Sequence, residues 1–184
     1  MSGQKQDLRV VRTHALIKNA LIELLKNNEF EKISVQDIVE KAMINRATFY
    51  KYYSGKSDLA GVMIEELKQA HAQLLQTKQQ SDDLNHFINT ALPAFYEKRQ
   101  IILVLWKIRT KRHHLWDDMF LMIKNNYIDK QGHLYPKQNL DYQGEILATM
   151  MLKTAQYYFE QDLPIPVKQV WREIEQVVKA IQMD

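Results

Sequence analysis

The sequence contains no cysteine, only five glycines and four prolines, and no long hydrophobic run. The absence of cysteine excludes disulfides, thiol catalysis and cysteine-ligated zinc, and it fits a reducing compartment. The longest apolar run, Ile101 to Trp106, is far too short to span a bilayer. The N-terminus is polar and charged and lacks the apolar core of a signal peptide. We therefore expect a cytoplasmic protein with no membrane partner.

What the 184 residues do contain favours helices. Leu, Ile, Lys, Glu and Gln are abundant, and these residues have good helix propensity. With so few glycines and prolines to interrupt it, the chain is predicted to fold as an all-α protein.

Charge is distributed unevenly along the chain. The net charge is +3 overall, but residues 1–56 carry +4 and the remainder carries −1. A positive N-terminal end fits an electrostatic footprint for a polyanion, although a solvated basic face is the commoner meaning of a small excess.

Three short helices are predicted at the N-terminal end. The first is amphipathic and runs from about Arg9 to Asn27. Ser34, three residues before Asp37, resembles a capping box and begins a short second helix. Asn45 is a good N-cap for a third helix that ends near Tyr52. Two short helices joined by so tight a turn cross steeply, which is the helix-turn-helix geometry.

The rest of the chain is also predicted to be helical. On periodicity alone the run IILVLWKI fits either a buried strand or a helix; we predict a helix because no partner strand is evident. The predicted segments are a long helix from Lys56 to about Thr77, a helix from Leu84 to Glu97 perturbed by Pro93, an amphipathic segment from Trp116 to Tyr127, a loop over 131–141, and two striped helices over Tyr142–Gln161 and Pro166–Gln182.

The stretch NRATFYKYYSGK, Asn45 to Lys56, combines four aromatic residues with three cations. Phe49 and Tyr53 are four residues apart and share a helix face, so we assign them to the core. The recognition helix of a helix-turn-helix points its first turn at base edges, while flanking groups bind phosphates. The predicted DNA-binding set is therefore Asn45, Arg46, Ala47 and Thr48 at the helix start, Tyr50, Lys51 and Tyr52 towards phosphates, and Lys56 with the first amides of the fourth helix as a second anion site.

Arg46 has the donor geometry to bind a guanine bidentately. The alternative interpretation of the stretch is a helical hairpin whose aromatics are all core.

The span from about Arg9 to Leu59 resembles the DNA-binding domain of the TetR family of bacterial transcriptional regulators. The run Thr48-Phe49-Tyr50, together with Tyr53, Lys56 and Leu59, falls where that family's motif places such residues. The resemblance implies a helix-turn-helix domain over residues 1–55 and a helical ligand-binding and dimerisation domain over residues 56–184. It also implies that Ser34 and Gln36 contact DNA from the second helix, and that repression is relieved by a small molecule.

One position departs from the family pattern. The turn commonly has Gly where this chain has Met43, and Gly adopts positive φ without a steric penalty. Met43 in that conformation would cost about 1 kcal/mol, so we expect either local strain or a looser turn.

A ligand pocket in the C-terminal domain is predicted from aromatic and methionine side chains, each of which also fits plain core. The predicted lining is Trp106, Trp116, Met119, Phe120, Met150 and Tyr157. Such a lining suggests an apolar or planar effector of unknown identity. No other cofactor is predicted.

A metal site is conceivable at His113 and His114, whose helical spacing pairs them with Asp117 and Asp118. Surface ion pairing is the favoured interpretation, and we predict no metal. The sequence also lacks a nucleophile motif and a glycine-rich phosphate loop, so we predict that the protein is not an enzyme. The competing function is a small helical adaptor or enzyme whose N-terminal end docks a protein partner.

Assembly follows from the need for two recognition helices. We expect the last two helices to pair with their copies in a homodimer that binds a near-palindromic double-stranded operator. The long fourth helix would connect the ligand to the DNA-binding end.

Overall fold

The computed structural model describes residues 2–80, 91–135 and 137–182. These residues form nine α-helices, one short 3₁₀ helix and no strand. The α-helices are α1 (Ser2–Asn27), α2 (Val35–Lys41), α3 (Arg46–Tyr52), α4 (Lys56–Gln80), α5 (Leu92–Tyr96), α6 (Arg99–Trp106), α7 (Leu115–Gly132), α8 (Asp141–Glu160) and α9 (Val167–Gln182), and the 3₁₀ helix is Phe30–Lys32. The all-α prediction is confirmed.

The chain divides into two compact units, and α4 runs through both. The first unit contains Met1–Gln69 and Val104–Leu115, and the second contains Ala70–Leu103 and Trp116–Asp184. Leu59, Met63 and Leu67 on the first half of α4 are buried and belong to the first unit. The functional boundary between residues 55 and 56 stays a prediction.

The core of the first unit is built from the apolar stripes of α1 to α4. Ile17, Leu21 and Leu25 follow the helical spacing on α1, and each is at most 1% exposed. Lys18 on α1 forms an ion pair with Glu66 on α4, at 2.7 Å from Nζ to Oε2. Burial of the stripe supplies most of the stability, because an exposed ion pair contributes at most about 1 kcal/mol.

The segment Val104–Leu115 completes this first unit. His113 is buried, and its Nε2 lies 2.9 Å from the Ser57 hydroxyl near the start of α4. A Cβ added at Gly61 would approach the His113 ring to 3.0 Å. Glycine at this position is what allows the imidazole to lie against α4.

The second unit is a helical bundle in which α7 and α8 pack closely. A Cβ on Gly144 would lie 3.2 Å from the Lys124 backbone oxygen, so a larger residue would require α7 and α8 to shift by a few tenths of an ångström. Lys124 forms ion pairs with Asp141 at 2.9 Å and Glu145 at 2.6 Å. These hydrogen bonds raise the pKa of Lys124, and they connect the two helices.

Asp162 closes α8 and ties it to the α5–α6 region. Its φ of 59° is left-handed, which Asp tolerates better than most residues. Its carboxylate accepts a hydrogen bond from Arg99, and its backbone oxygen accepts one from the Tyr96 hydroxyl at 2.6 Å. This bond to Arg99 lowers the pKa of Asp162.

Most predicted helices lie where the sequence placed them. The run IILVLWKI is helical from Ile101 to Trp106, where it forms most of α6, and its last two residues follow the helix. The first helix begins at Ser2 rather than near Arg9, because its first turns are polar and carry no apolar period. The predicted helix over Leu84–Glu97 falls partly on residues 81–90, which lie outside the described residues; its last turns form α5, with Pro93 in the first turn.

No helix within the described ranges is both long enough and apolar enough to cross a membrane.

Candidate DNA-binding surface and ligand cavity

The turn between α2 and α3 is closed by backbone hydrogen bonds around Met43. The Met43 amide donates to the Glu40 oxygen and the Ile44 amide donates to the Val39 oxygen, both at 3.1 Å. This is the Schellman pattern that commonly ends a helix with a left-handed residue. Met43 occupies the left-handed position with φ of 52°, and its side chain is 92% exposed. The turn is therefore kept tight, with Met rather than Gly in the strained conformation.

Both short helices have side-chain caps. Ser34 and Asp37 form a complete capping box at the start of α2, and the bond from the Ser34 amide lowers the pKa of Asp37. The Asn45 side chain accepts a hydrogen bond from the Ala47 amide at 2.8 Å at the start of α3. The caps predicted at Ser34 and Asn45 are confirmed.

Phe49 and Tyr53 anchor α3 in the core, as predicted. Their exposed fractions are 0% and 3%, and their ring centroids lie 5.7 Å apart. The Tyr53 hydroxyl lies 2.7 Å from His14 Nδ1 on α1, so it has a hydrogen-bond partner inside the unit. Burial raises the pKa of Tyr53 to about 12, which keeps the phenol protonated. Sequence reasoning missed His14 because it lies far along the chain from Tyr53.

The opposite face of α3 is polar and exposed. Asn45, Arg46, Ala47, Tyr50 and Lys51 are exposed, whereas Thr48 and Tyr52 are half-buried. The Arg46 guanidinium lies 5.5 Å from the centre of the Tyr50 ring, and Lys51 lies at the same distance from the Tyr52 ring. Each cation therefore rests against a tyrosine of the same helix, a contact worth about 0.5–1 kcal/mol at exposed sites.

A shallow groove separates this face of α3 from α1. Its volume is about 400 Å³, and Arg9 and Thr13 of α1 face Thr48, Lys51 and Tyr52 across it. Arg9 and Thr13 were not predicted as site residues. The signal that could have found them is the cation at Arg9, which continues the basic N-terminal end.

Ser34 and Gln36 on α2 are both exposed. The Ser34 side chain is engaged in the capping box, and Gln36 Nε2 donates to Glu40 at 2.7 Å. Both side chains are thus held by contacts within α2.

Lys56 has partners that the sequence did not suggest. Its ammonium donates to the backbone oxygens of Phe30 at 2.8 Å, Glu31 at 2.9 Å and Ile33 at 2.6 Å. An ammonium has three N–H bonds, so the folded chain uses all of them. The ammonium also lies 4.9 Å from the centre of the Phe30 ring. This geometry favours a structural tie across the 3₁₀ helix over the predicted phosphate contact.

An apolar cavity of about 140 Å³ lies within the second unit. Residues of α4, α5, α8 and α9 surround it, together with Ile165 before α9. Of the six predicted pocket residues, all within the described part of the chain, Met150 lines this cavity and the other five do not. Trp106 and Met119 are buried core, Trp116 and Phe120 are half-buried, and Tyr157 is 61% exposed.

A metal centre finds no support in the geometry. Within residues 2–80, 91–135 and 137–182, no three His, Asp or Glu side chains are grouped as metal ligands. His113 instead contacts Ser57, as described above.

The fold and the α2–α3 surface together define an all-helical protein with an N-terminal helix-turn-helix domain. Comparison with known sequences makes this specific: residues 17–63 match the family described as "Bacterial regulatory proteins, tetR family". These residues are similar to that family, and they include α2, α3 and the turn between them.

Two curated relatives are also similar to part of the chain. The uncharacterized HTH-type transcriptional regulator YxbF of Bacillus subtilis (strain 168) is 28% identical over 112 residues, which cover 58% of this chain and 29% of that protein. The HTH-type dhaKLM operon transcriptional activator DhaS of Lactococcus lactis subsp. lactis (strain IL1403) is 36% identical over 53 residues, covering 29% of this chain and 28% of that protein. The match thus spans less than a third of each relative.

Solved structures extend the likeness in fold to nearly the whole chain. A gamma-butyrolactone receptor (ArpA-like protein) aligns with a TM-score of 0.55 and 16% identity, over 96% of this chain and 100% of that chain. The regulatory protein TetR from Rhodobacter sphaeroides aligns with a TM-score of 0.51 and 14% identity, over 88% and 96% of the two chains. At these identities the likeness establishes a shared fold.

Proposed function

We propose that the whole protein is a sequence-specific, ligand-responsive transcriptional repressor of the TetR type that acts in the bacterial cytoplasm. The observation that carries the proposal is the division of α3 into two faces. Phe49 and Tyr53 fix the helix to its unit, while Arg46, Tyr50 and Lys51 remain exposed. An exposed cationic helix after a tight turn is suited to the major groove.

Each exposed side chain has a role in this proposal. Arg46, at the first turn of α3, reads a guanine, and Thr48 contacts a neighbouring base or phosphate. Tyr50, Lys51 and Tyr52 bind phosphate oxygens, and Arg9 adds a cation on the other side of the groove. Asn45 and Ala47 lie at the helix start, where the backbone comes nearest to the bases. Ser34 and Gln36 stay predicted contacts from α2.

A homodimer is part of the proposal. Large apolar side chains on α8 and α9 are exposed, among them Tyr142 at 73%, Tyr157 at 61% and Val177 at 60%. A single chain leaves this surface in water, whereas a second copy of the chain would bury it. A two-fold dimer presents two recognition helices, and its operator is therefore near-palindromic.

The proposed switch uses α4. This helix begins at Lys56 in the first unit, and His71, Leu74 and Leu75 near its other end line the apolar cavity. At 1.5 Å per residue its 25 residues extend about 37 Å. A molecule that occupies the cavity contacts a helix whose first residues belong to the DNA-binding unit, which gives ligand and DNA a shared element.

Reciprocity tests this switch. If the ligand weakens operator binding by some factor, saturating operator must weaken ligand binding by the same factor. If the ligand affinity were equal with and without operator, the proposed coupling between ligand and DNA would be wrong.

The decisive experiment is selection of bound fragments from the source genome, followed by gel-shift assays. We expect one recurrent near-palindromic sequence bound by the wild-type protein. Arg46→Ala should bind it weakly, and Lys179→Ala, which removes an equal charge from α9, should bind normally. Absence of any selected sequence would contradict DNA recognition. A reporter gene under the selected operator distinguishes repression from activation. The relative DhaS is named as an activator.

A further inference from the structure

The apolar cavity of the second unit contains one buried polar group that lacks a partner. His71 is 3% exposed and lines the cavity, and its buried Nδ1 has no hydrogen-bond partner among the described residues. Its ring packs against Phe95 with centroids 5.7 Å apart. Buried polar atoms are nearly always hydrogen-bonded, so the unsatisfied nitrogen calls for a partner that arrives from outside the chain.

Charge is absent from the described cavity wall. Of the thirteen described residues that line it, eleven are apolar and the other two are His71 and Thr154. Burial lowers the pKa of His71 to about 4, so the imidazole is neutral near pH 7. A carboxylate entering this cavity would lose its hydration without meeting a cation, which is strongly unfavourable.

Water alone does not fill this space. A buried water needs two to four polar partners, so one water can bond to His71 and Thr154, but the rest of the described lining is mostly apolar. The volume of about 140 Å³ is close to that of an apolar cavity known to hold benzene, about 150 Å³. The space therefore suits a small organic molecule.

We propose that this cavity binds a small uncharged molecule with an aliphatic body and one hydrogen-bonding oxygen, a ketone or an alcohol, whose oxygen bonds to the His71 imidazole. The inference rests on the proposed function, since this molecule would be the effector. The apolar wall binds the body without selecting its chemistry. The imidazole selects for the oxygen, and the absence of a lining cation selects against an acid.

A matched set of probes tests the chemical class. Calorimetry on the full-length protein at pH 7.5 would compare 2-heptanone, 1-heptanol, heptane and heptanoate, which differ in the polar end and share the chain. We expect the ketone or the alcohol to bind about tenfold more tightly than heptane, the worth of one hydrogen bond. Heptanoate should show no binding. Heptanoate binding as tight as that of the neutral probes would overturn the proposal. The absence of measurable binding by all four probes would also overturn it.

Variants locate the interaction. His71→Phe keeps a ring and removes both nitrogens, so it should abolish the preference for the oxygenated probes over heptane. His133→Phe, at an exposed histidine of the same unit, is the matched control and should keep that preference. A preference retained in His71→Phe would show that another group binds the oxygen.

A second measurement uses the wild-type protein, so it tests the proposal even if His71→Phe does not fold. Nitrogen NMR of the wild-type histidines should show a shift of the His71 ring resonances with 2-heptanone and none with heptanoate. Gel shifts run in parallel keep the two proposals distinct. A protein that binds genomic DNA and ignores the neutral probes overturns the ligand class alone, whereas one that binds 2-heptanone and selects no DNA overturns the regulator and supports the cavity.

Discussion

The Lys56 side chain has a structural role within the first unit. Its ammonium holds three carbonyl oxygens around the 3₁₀ helix, and these oxygens belong to the segment that leads from α1 into α2. The position of α2 relative to the start of α4 thus depends on a single cation. Hydrogen bonds to a charged donor contribute more than neutral ones, about 1.5–3 kcal/mol.

We expect Lys56→Met to lower the free energy of unfolding by about 1–3 kcal/mol, because it keeps much of the aliphatic stem and removes all three donors. Urea denaturation followed by circular dichroism measures the change. Lys51→Met, at an exposed residue of α3, is the control and should stay within about 0.5 kcal/mol of wild type. The opposite outcome is a Lys56→Met protein that is as stable as wild type and whose DNA binding depends less on salt, by about one counterion per half-site. That outcome would support the predicted phosphate contact of Lys56.

Arg46 and Lys51 lie on one exposed face of α3 but are predicted to differ in what they recognise. Arg46→Ala should cost about 1–3 kcal/mol at one base position of each half-site and relax the preference there. Lys51→Ala should weaken binding to all sequences alike and reduce the salt slope by about one per half-site. Affinities for single-base operator variants at three salt concentrations separate the two. A uniform loss in Arg46→Ala would reassign it to a phosphate.

His71 should make the stability of the protein depend on pH. Its folded pKa of about 4 lies below the ordinary value near 6.5, so between these values the unfolded chain binds a proton that the folded chain does not. The free energy of unfolding therefore falls as the pH is lowered from 6.5 to 4, by up to about 3 kcal/mol.

Urea titrations at intervals of pH measure this loss. His71→Phe should remove the corresponding part of the slope, and His133→Phe should retain it. An identical pH profile in wild type and His71→Phe would contradict a buried neutral imidazole.

At the scale of elements, the α2–α3 turn carries the clearest strain. Met43 is left-handed and almost wholly exposed, so its side chain contributes little packing in return. Glycine adopts this conformation without strain, but it raises the conformational entropy of the unfolded chain, which lowers the free energy of unfolding.

We expect Met43→Gly to raise the free energy of unfolding by up to about 0.5 kcal/mol, the strain relieved less the entropy lost. Thermal denaturation checks the direction. Met43→Val, which cannot adopt positive φ without greater strain, should be less stable than wild type. Stabilisation by Val would mean that the turn is not strained at this residue.

The elements themselves were largely predictable, and the reasons are local. The caps at Ser34 and Asn45 and the buried pair Phe49 and Tyr53 follow from spacing within a few residues, so the sequence contains the whole signal. The Lys56 tie and the Tyr53–His14 contact join residues more than twenty positions apart. No local pattern encodes such contacts.

The ligand cavity was hidden for the same reason. Its wall combines side chains from four helices, mostly Leu, Ile and Val that are indistinguishable from core in sequence. Aromatic content directed the prediction to Trp106 and Trp116 instead. The signal that could have found the cavity is His71, a polar residue on the apolar stripe of α4.

At the scale of the whole molecule, the proposed homodimer rests on the exposed apolar surface of α8 and α9. Tyr157, Val177 and Val178 line one open groove on this surface. We expect the double variant Val177→Glu with Val178→Glu to be monomeric, since like charges meeting across a two-fold interface cost several kcal/mol. Light scattering at micromolar concentration measures the mass.

Leu121→Glu is the matched control for this experiment, because Leu121 is also half-exposed, at 51%, but lies on α7. It should remain a dimer. A wild-type protein that is monomeric with and without operator would refute the proposed assembly.

The first unit consists of two separate segments of the chain, so its parts are synthesised at different times. Met1–Gln69 leaves the ribosome long before Val104–Leu115, and at about 5–20 residues per second the interval is on the order of a few seconds. During that interval the surface around Gly61 lacks the imidazole of His113. A nascent chain, or a fragment truncated before residue 104, therefore presents an unfinished DNA-binding unit. Under the proposed function, a complete first unit, and with it operator binding, would arise only after residue 115 has been synthesised.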